Sequence, residues 1–224
     1  MFITEVTDPL EQPLKASDLA AHALKRMKDC GETSKAVVDF TTRKLLGEVS
    51  HDSLTLLRDT NVVVMQHLNK VTARVSPDTH ILDAAGFMNR NKLSQVYITD
   101  DEQRFLGTAK NSDVFRAISI LLNPEVEGAV IMVQVSARDY QLSDLVRIIE
   151  LEGVKIFGIG VQHIYSESEY PDFRISIKLN HSDTSRVIHV LNRYGYVILS
   201  ETQKEENDDE LHDRADELMR YLSI

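Results

Sequence analysis

The sequence has one cysteine, fewer basic than acidic residues and no long apolar segment. Its single cysteine, Cys30, cannot form an internal disulfide bond, which favours a reducing, cytoplasmic setting. The 224 residues include 25 Lys and Arg against 35 Asp and Glu, and this acidic balance disfavours nucleic-acid binding, which needs a basic surface. No window approaches the roughly 18 apolar residues of a membrane-spanning helix, and the first residues lack the pattern of a signal peptide. We therefore expect neither nucleic acid nor membrane as a partner.

The motifs of common enzyme and metal sites are also missing or incomplete. The eight histidines show no spacing with cysteine or carboxylates that is typical of a metal site, so we predict no metal. Gly158 and Gly160 begin a dinucleotide-binding pattern, but His163 stands at the third glycine position and the run is strand-like. Cys30 has no evident base partner, and no Walker or serine-hydrolase motif occurs. We therefore predict that the protein is not an enzyme and requires no cofactor.

The residues that are present have an ordinary globular composition, followed by a separate acidic end. The chain is 42% hydrophobic and 27% charged, which argues against global disorder. Residues 201–224 hold nine acidic and three basic residues. In the tail, 207–224, apolar residues recur at helical spacing: Leu211, Ala215, Leu218 and Leu222. This stripe predicts a helix over 208–221 that docks on the body or on a partner subunit, because so short an acidic helix is marginal alone.

An internal repeat is visible when residues 18–54 are shifted by 61 positions onto residues 79–114. Each unit opens with a predicted helix cap, Asp18 or Thr79, whose side-chain oxygen can accept from a backbone N–H. An amphipathic helix follows, then two short β-rich runs joined by a polar turn, then a second helix. Both units also carry a Leu-Gly pair in the second β-run. Each unit is therefore predicted to be strand–helix–strand–strand–helix.

This repeat resembles the tandem CBS-domain (Bateman) module, over residues 10–122. The nucleotide-contacting pattern of that family is Gly, two apolar positions, Ser or Thr, two free positions, then Asp. The resemblance implies an aspartate on both ribose hydroxyls and a Ser or Thr hydroxyl near the phosphates. The second repeat reads GTAKNSD, which keeps Asp113 and places Lys110 at the hydroxyl position. The first reads GEVSHDS, which keeps Ser50 and places Ser53 at the aspartate position.

The second repeat is therefore the better nucleotide candidate. A carboxylate can accept from two hydroxyls at once, a geometry that Ser53 cannot replace, and Lys110 offers an ammonium to a phosphate. In this interpretation Val75 and Val96 flank the base. The candidate nucleotide-binding residues are Asp113, Lys110, Thr108, Val75, Val96 and Ser50. The effector is expected to be an adenosine compound such as AMP, ADP, ATP or S-adenosylmethionine. An alternative stays open, in which Asp113 only caps the last helix.

A different order of elements follows the repeats. Apolar runs of strand length and two amphipathic helices give the order βαββαβ over 127–201, which is the ferredoxin-like pattern. Its second helix is predicted to open at Ser182 and to stop at Gly195. Directly after a CBS pair, this domain looks like an ACT domain, and the layout resembles the acetoin-utilisation-type CBS–ACT proteins. The resemblance implies a small ligand, often an amino acid, at the first turn, where Asp139 and Leu142 are the candidate residues.

These patterns together predict an α+β chain of four parts: CBS repeat 1 in 1–60, CBS repeat 2 in 61–124, an ACT-like domain in 127–201 and the helical tail in 207–224. Two functions stay open. In the first, an adenosine-containing nucleotide binds the CBS cleft and biases the ACT-like domain or a regulated protein partner. In the second, both modules form a dimerisation and protein-interaction scaffold without a small ligand. The CBS resemblance also implies a homodimer, with candidate contact residues Ile118, Leu121 and Leu122.

Overall fold

The computed structural model describes residues 1–7, 11–70, 73–164 and 172–202. Contacts within the chain divide it into two compact units, Met1–Ile118 and Ser119–Ile224. The helix predicted in the acidic tail lies outside the described residues, so it stays a prediction.

The first unit contains the same arrangement twice. In each copy, a two-residue strand is followed by a helix, a hairpin of two strands and a second helix. In repeat 1 these are β1 (Leu14–Lys15), α1 (Ala20–Cys30), β2 (Ser34–Val38), β3 (Leu45–Ser50) and α2 (His51–Thr55). In repeat 2 they are β4 (Arg74–Val75), α3 (Ile81–Asn91), β5 (Gln95–Thr99), β6 (Phe105–Lys110) and α4 (Asn111–Leu122). Two short 3-10 helices are added at Ile3–Val6 and Val64–His67. The predicted order of elements is confirmed.

The correspondence between the repeats extends to irregular backbone positions. Each repeat has a three-stranded sheet, β1-β2-β3 or β4-β5-β6, in which the outer strand is parallel and the hairpin antiparallel. The hairpin register shifts after Val37 in one repeat and after Ile98 in the other. Helix α1 ends at Gly31 with φ of 63°, and α3 ends at Lys92 with φ of 53°. A left-handed residue therefore closes both helices, although only one of them is glycine.

The helix caps differ from the prediction by one residue. Leu19 is the N-cap of α1 and His80 is the N-cap of α3. The Asp18 carboxylate accepts instead from the N–H of Lys15, at 2.9 Å, and so closes the turn between β1 and the helix. The prediction that Asp18 and Thr79 cap these helices is therefore wrong, because each lies one residue before the N-cap position. His80 accepts there from the N–H of Leu82, whereas Leu19 makes no side-chain capping bond.

A shared apolar cluster joins the two repeats. Each repeat also has its own core, which includes Met27 in repeat 1 and Met88 in repeat 2, both at most 1% exposed. The residues of the shared cluster are Ala36, Val38, Leu45, Tyr97 and Phe105. The two hairpins that carry them also pair at their tips, through a bridge between Lys44 and Arg104. The repeats therefore fold as one body with a buried seam.

The second unit has the predicted βαββαβ order. Its elements are β7 (Val130–Ser136), α5 (Leu142–Leu151), β8 (Ile156–Ile164), β9 (Asp172–Leu179), α6 (Ser185–Arg193) and β10 (Val197–Thr202). The strands form one antiparallel sheet in the order β10-β7-β9-β8, which is the ferredoxin-like arrangement. Gly195 takes φ of 84° after α6, as predicted. The helix opens after Thr184 rather than at Ser182, because the Asp183 carboxylate accepts from the N–H of Ser185 at 3.0 Å.

Candidate functional site

Asp113 lies in the first turn of α4, directly after strand β6. Its Oδ2 accepts from the backbone N–H of Lys110 at 3.2 Å, so the carboxylate closes the strand-to-helix turn. Within the described residues, no hydrogen bond reaches its second oxygen, Oδ1. The side chain is partly exposed. The capping role that the sequence left open is therefore present, and one carboxylate oxygen remains for another partner.

The equivalent turn in repeat 1 uses its hydroxyls differently. Ser50 is the N-cap of α2, and its Oγ accepts from the N–H of Ser53 at 3.2 Å. The Ser53 hydroxyl donates to the carbonyl oxygen of Ser50 at 2.8 Å. Both hydroxyls therefore serve the local turn, and this turn contains no carboxylate at the position of Asp113.

The ammonium of Lys110 forms an ion pair with a residue of the other repeat. Lys110 Nζ lies 3.0 Å from Glu32 Oε1, at the end of α1. The other oxygen of Glu32 accepts from Lys35 Nζ, in strand β2. The side chains of Glu32 and Lys35 are only 6% and 4% exposed, whereas that of Lys110 is 40% exposed. Glu32 therefore bridges two lysines in a largely buried position.

A second carboxylate binds the edge of strand β6. Glu11 Oε2 accepts from the N–H of Thr108, and Glu11 Oε1 accepts from the Thr108 hydroxyl, both at 2.9 Å. In repeat 1, the corresponding contact is between backbones, because the N–H of Glu48 donates to the carbonyl oxygen of Asn69 at 3.1 Å. A carboxylate in repeat 2 thus takes the place of a strand-like backbone partner. We call the whole group the Lys110 cluster: Glu11, Glu32, Lys35, Thr108, Lys110 and Asp113.

The charges of the Lys110 cluster perturb one another. Burial opposes ionisation of Glu32, but the bonds from Lys35 and Lys110 outweigh it and lower its pKa. Burial is the largest influence on Glu11 and raises its pKa, and the Glu32 charge adds to this effect. For Lys110, burial is outweighed by the bond to Glu32 and by attraction from Glu11 and Asp113, so its pKa is raised. Three carboxylates and two ammoniums therefore act on one another here.

Sequence reasoning placed three members of this cluster at the site, Thr108, Lys110 and Asp113, and the structure brings them together. It missed Glu11, Glu32 and Lys35. A signal for two of these lies in the repeat alignment, because Glu32 corresponds to Leu93 and Lys35 to Val96 at the offset of 61. A charged residue in one repeat that aligns with an apolar residue in the other indicates a position with a different structural role in the two repeats.

The two predicted base-flanking valines lie in or against the core of repeat 2. Val96 is 0% exposed and pairs with Ala109 in the hairpin. Val75 is partly buried and packs against the same core. A fully buried core side chain does not line an open site, so Val96 is less suited to flank a base than predicted. Ser50 belongs to the other repeat and is not in the Lys110 cluster.

In the second unit, the predicted ligand residues are engaged in local structure. Asp139 Oδ2 accepts from the Ser136 hydroxyl at 3.1 Å, and the Asp139 N–H donates to the Ser136 carbonyl oxygen at 3.0 Å. Leu142 is the first residue of α5 and packs against the core of the sheet. A cavity of about 310 Å³ in this unit lies beside 124–129, Lys178 and Ser182, away from this turn. The lining of this cavity includes neither Asp139 nor Leu142.

Metal sites and membrane-spanning helices are two further features that the described residues could contain. In the part of the chain that the structure describes, no three His, Cys, Asp or Glu side chains are grouped so that they could hold a metal ion. Of the helices found there, none has both the length and the apolar character needed to cross a bilayer.

In comparisons with known proteins, the family model described as CBS domain matches residues 66–120. A putative acetoin utilization protein (AcuB) from Vibrio cholerae is 20% identical with a TM-score of 0.50, over 57% of this chain and 98% of that one. Protein MJ1004 from Methanocaldococcus jannaschii is 17% identical with a TM-score of 0.50, over 55% of this chain and 61% of that one. CBSX2 in complex with AMP is 21% identical with a TM-score of 0.47, over 52% of this chain and 95% of that one. No curated protein matches. The fold is thus mixed α+β, with a CBS-pair fold in the first unit.

Proposed function

We propose that this chain is a regulatory sensor that binds an adenosine-containing compound at the Lys110 cluster. Binding there biases the ACT-like domain or a regulated protein partner, and no reaction is catalysed. As the CBS resemblance implies, Asp113 accepts from the ribose hydroxyls. Lys110 lies beside the end of the ligand that carries the phosphates in a nucleotide. AMP, ADP, ATP and S-adenosylmethionine are the compounds to compare.

The observation that carries this proposal is the second carboxylate oxygen of Asp113. Oδ2 holds the turn through the Lys110 N–H, while Oδ1 has no hydrogen-bond partner within the described residues. The corresponding hydroxyls of Ser50 and Ser53 are both committed to their own turn. A strong hydrogen-bond acceptor that is not used by the fold is what a diol ligand needs. This favours repeat 2 over repeat 1 as the binding repeat.

The test compares two substitutions by titration calorimetry. Asp113→Asn keeps an oxygen that can accept the Lys110 N–H, so it preserves the turn while removing the carboxylate. We expect it to weaken binding by about ten- to a hundredfold, because hydrogen bonds to a charged group contribute about 1.5–3 kcal/mol. Ser53→Ala is the matched control and should leave the affinity nearly unchanged. Equal losses in the two variants would contradict the assignment of the site to repeat 2.

A second candidate function is a ligand-free scaffold. It is favoured by the fact that Lys110 and Thr108, the other polar groups of the motif, are already bound by Glu32 and Glu11. Helix α4 also exposes large apolar side chains, since Phe115 is 73% exposed. A thermal-shift comparison separates the two functions, because a ligand selective for the folded state must raise its stability. If none of the adenosine compounds raises the melting temperature at millimolar concentration, the scaffold is favoured.

Both functions include a homodimer as a proposal. Leu121 and Leu122 are 38% and 45% exposed on α4, which suits a contact with a second copy. Ile118 instead packs partly against the core of repeat 2, so it is less suited to such a contact than predicted. We also propose, from the resemblance to ACT domains, that the second unit is ACT-like and that an amino acid binds at Asp139. The single cysteine favours a cytoplasmic setting. Light scattering that gives the mass of a single chain at micromolar concentration would exclude the dimer.

A further inference from the structure

The charges around Lys110 bear on which adenosine compound the site accepts. Three carboxylates, Glu11, Glu32 and Asp113, act on this lysine, and Lys35 is the only other ammonium in the cluster. With all five groups ionised, the cluster has one more negative than positive charge before any ligand arrives. A site built to hold a phosphate chain has the opposite balance, because phosphate is bound through an excess of positive charge.

Glu32 is fixed in place rather than free to move aside. Its side chain is 6% exposed, and its two oxygens are held by Lys35 and Lys110. A phosphate that took Lys110 from Glu32 would leave this buried carboxylate with half of its partners. The phosphate and the carboxylate would then lie close together in a partly desolvated position, where like charges repel more strongly than in water.

The other donors at this end of the motif are occupied in the same way. The N–H and the hydroxyl of Thr108 both donate to Glu11, and Thr108 itself is 5% exposed. A phosphate oxygen would have to displace a second carboxylate in order to use them. A phosphate chain would therefore have to displace two carboxylates to reach the donors of Thr108 and Lys110. One, Glu11, comes from the N-terminal segment, and the other, Glu32, follows α1.

We infer that Glu32 and Glu11 make this site select adenosine compounds whose end beside Lys110 is neutral or positively charged, and reject di- and triphosphates. This inference rests on the proposed function, since it concerns the ligand of the same site. Adenosine, which ends in a hydroxyl, and S-adenosylmethionine, which carries a sulfonium and an ammonium, are the accepted class. ADP and ATP are the rejected class.

The test is a set of calorimetric titrations with adenosine, S-adenosylmethionine and ATP, without divalent cations, on the full chain. The wild-type protein should bind the first two at least about tenfold more tightly than ATP, since one unfavourable charge contact in a partly buried site is worth that much. Glu32→Gln removes the charge and keeps an oxygen for one of the two lysines, while the bond to the other lysine is lost. It should lower the ratio of the ATP and adenosine dissociation constants at least about tenfold.

Two further variants keep the test decisive. Glu11→Gln can accept from the Thr108 N–H with its amide oxygen and donate to the Thr108 hydroxyl with its nitrogen, so it should shift the ratio in the same direction even if the Glu32 variant does not fold. Glu102→Gln removes the same charge from an exposed turn and should leave the ratio unchanged. Wild-type protein that prefers ATP over adenosine, or a ratio unmoved by both cluster variants, overturns the inference and leaves the proposed function standing. Protein that binds none of these three compounds, and neither AMP nor ADP, overturns the proposed function itself.

Discussion

The hydroxyl of Tyr97 gives the sharpest test of how the two repeats are held together. Tyr97 is 1% exposed in the shared cluster, and its hydroxyl donates to Glu48 Oε2 in the other repeat at 2.6 Å. The same hydroxyl accepts from Gln95 Nε2 at 2.6 Å. Burial is the largest reason why the pKa of Tyr97 is raised, and the Glu48 carboxylate raises it further, so the hydroxyl remains a protonated donor. Tyr97→Phe removes this oxygen and nothing else.

The expected cost follows from what each partner retains. A hydrogen bond to a charged acceptor is worth about 1.5–3 kcal/mol. Glu48 is only partly buried, so water can replace part of this bond, whereas Gln95 keeps the Ser34 hydroxyl as an acceptor at 2.9 Å. We therefore expect Tyr97→Phe to destabilise the first unit by about 1–2 kcal/mol, a change of roughly five- to thirtyfold in its opening equilibrium.

Amide hydrogen exchange in β5 and β3 measures this opening directly, because the slowest amides there report the stability of the first unit. Tyr194→Phe is the matched control, since Tyr194 is 55% exposed in the second unit and should leave these rates unchanged. In a Glu48→Gln background, the same Tyr97→Phe change should cost less, because the acceptor is then neutral. If Tyr97→Phe changes the exchange rates in β5 by less than about twofold, and the control also leaves them unchanged, the Tyr97–Glu48 bond does not hold the repeats together.

The order of elements could be predicted because it depends on local patterns. Helical spacing of apolar residues and short β-rich runs repeat within one sequence, and the structure confirms the order in both units. Cap positions were less accurate, because several polar residues compete at each helix start. At α1, for example, Asp18 has a turn to close at Lys15, and this bond wins over the cap. At α6, Asp183 rather than Ser182 bonds the first helical N–H.

Only half of the residues of the Lys110 cluster could be predicted, because the others contact it from distant positions in the sequence. Lys110 and Asp113 are neighbours in a motif, but Glu11 meets Thr108 across 97 positions and Glu32 meets Lys110 across 78. No local pattern announces such contacts. Val96 is less suited to a site than predicted because both faces of β5 are buried. Val96 and Ile98 face the core of their own repeat, while Tyr97 faces the shared cluster. An apolar strand of this kind does not reveal which face, if either, lines a site.

The remaining predictions concern backbone strain, the tail and pH. Gly128 has φ of 142° and an added Cβ would lie 2.0 Å from the Leu179 carbonyl oxygen, so Gly128→Ala should cost at least about 3 kcal/mol in urea unfolding. Gly160→Ala, where an added Cβ meets nothing, is the control and should cost under about 1 kcal/mol. Removing 207–224 should lower the melting temperature or weaken dimerisation, and a truncated chain unchanged in both would exclude the proposed docking.

The lowered pKa of Glu32 makes its ionised form stabilising above its ordinary value of 4.5, and this contribution is lost as the pH falls through the folded-state pKa. Glu11 has the opposite sign, because its raised pKa favours the protonated form and its contribution declines as the pH rises. Glu32→Gln should therefore destabilise the first unit clearly at neutral pH and progressively less in acid, since the wild-type carboxylate becomes neutral there as well. Urea unfolding at several pH values measures the difference, and a gap that stays constant from neutral pH to well below 4.5 would show that the ion pairs of Glu32 do not stabilise the fold.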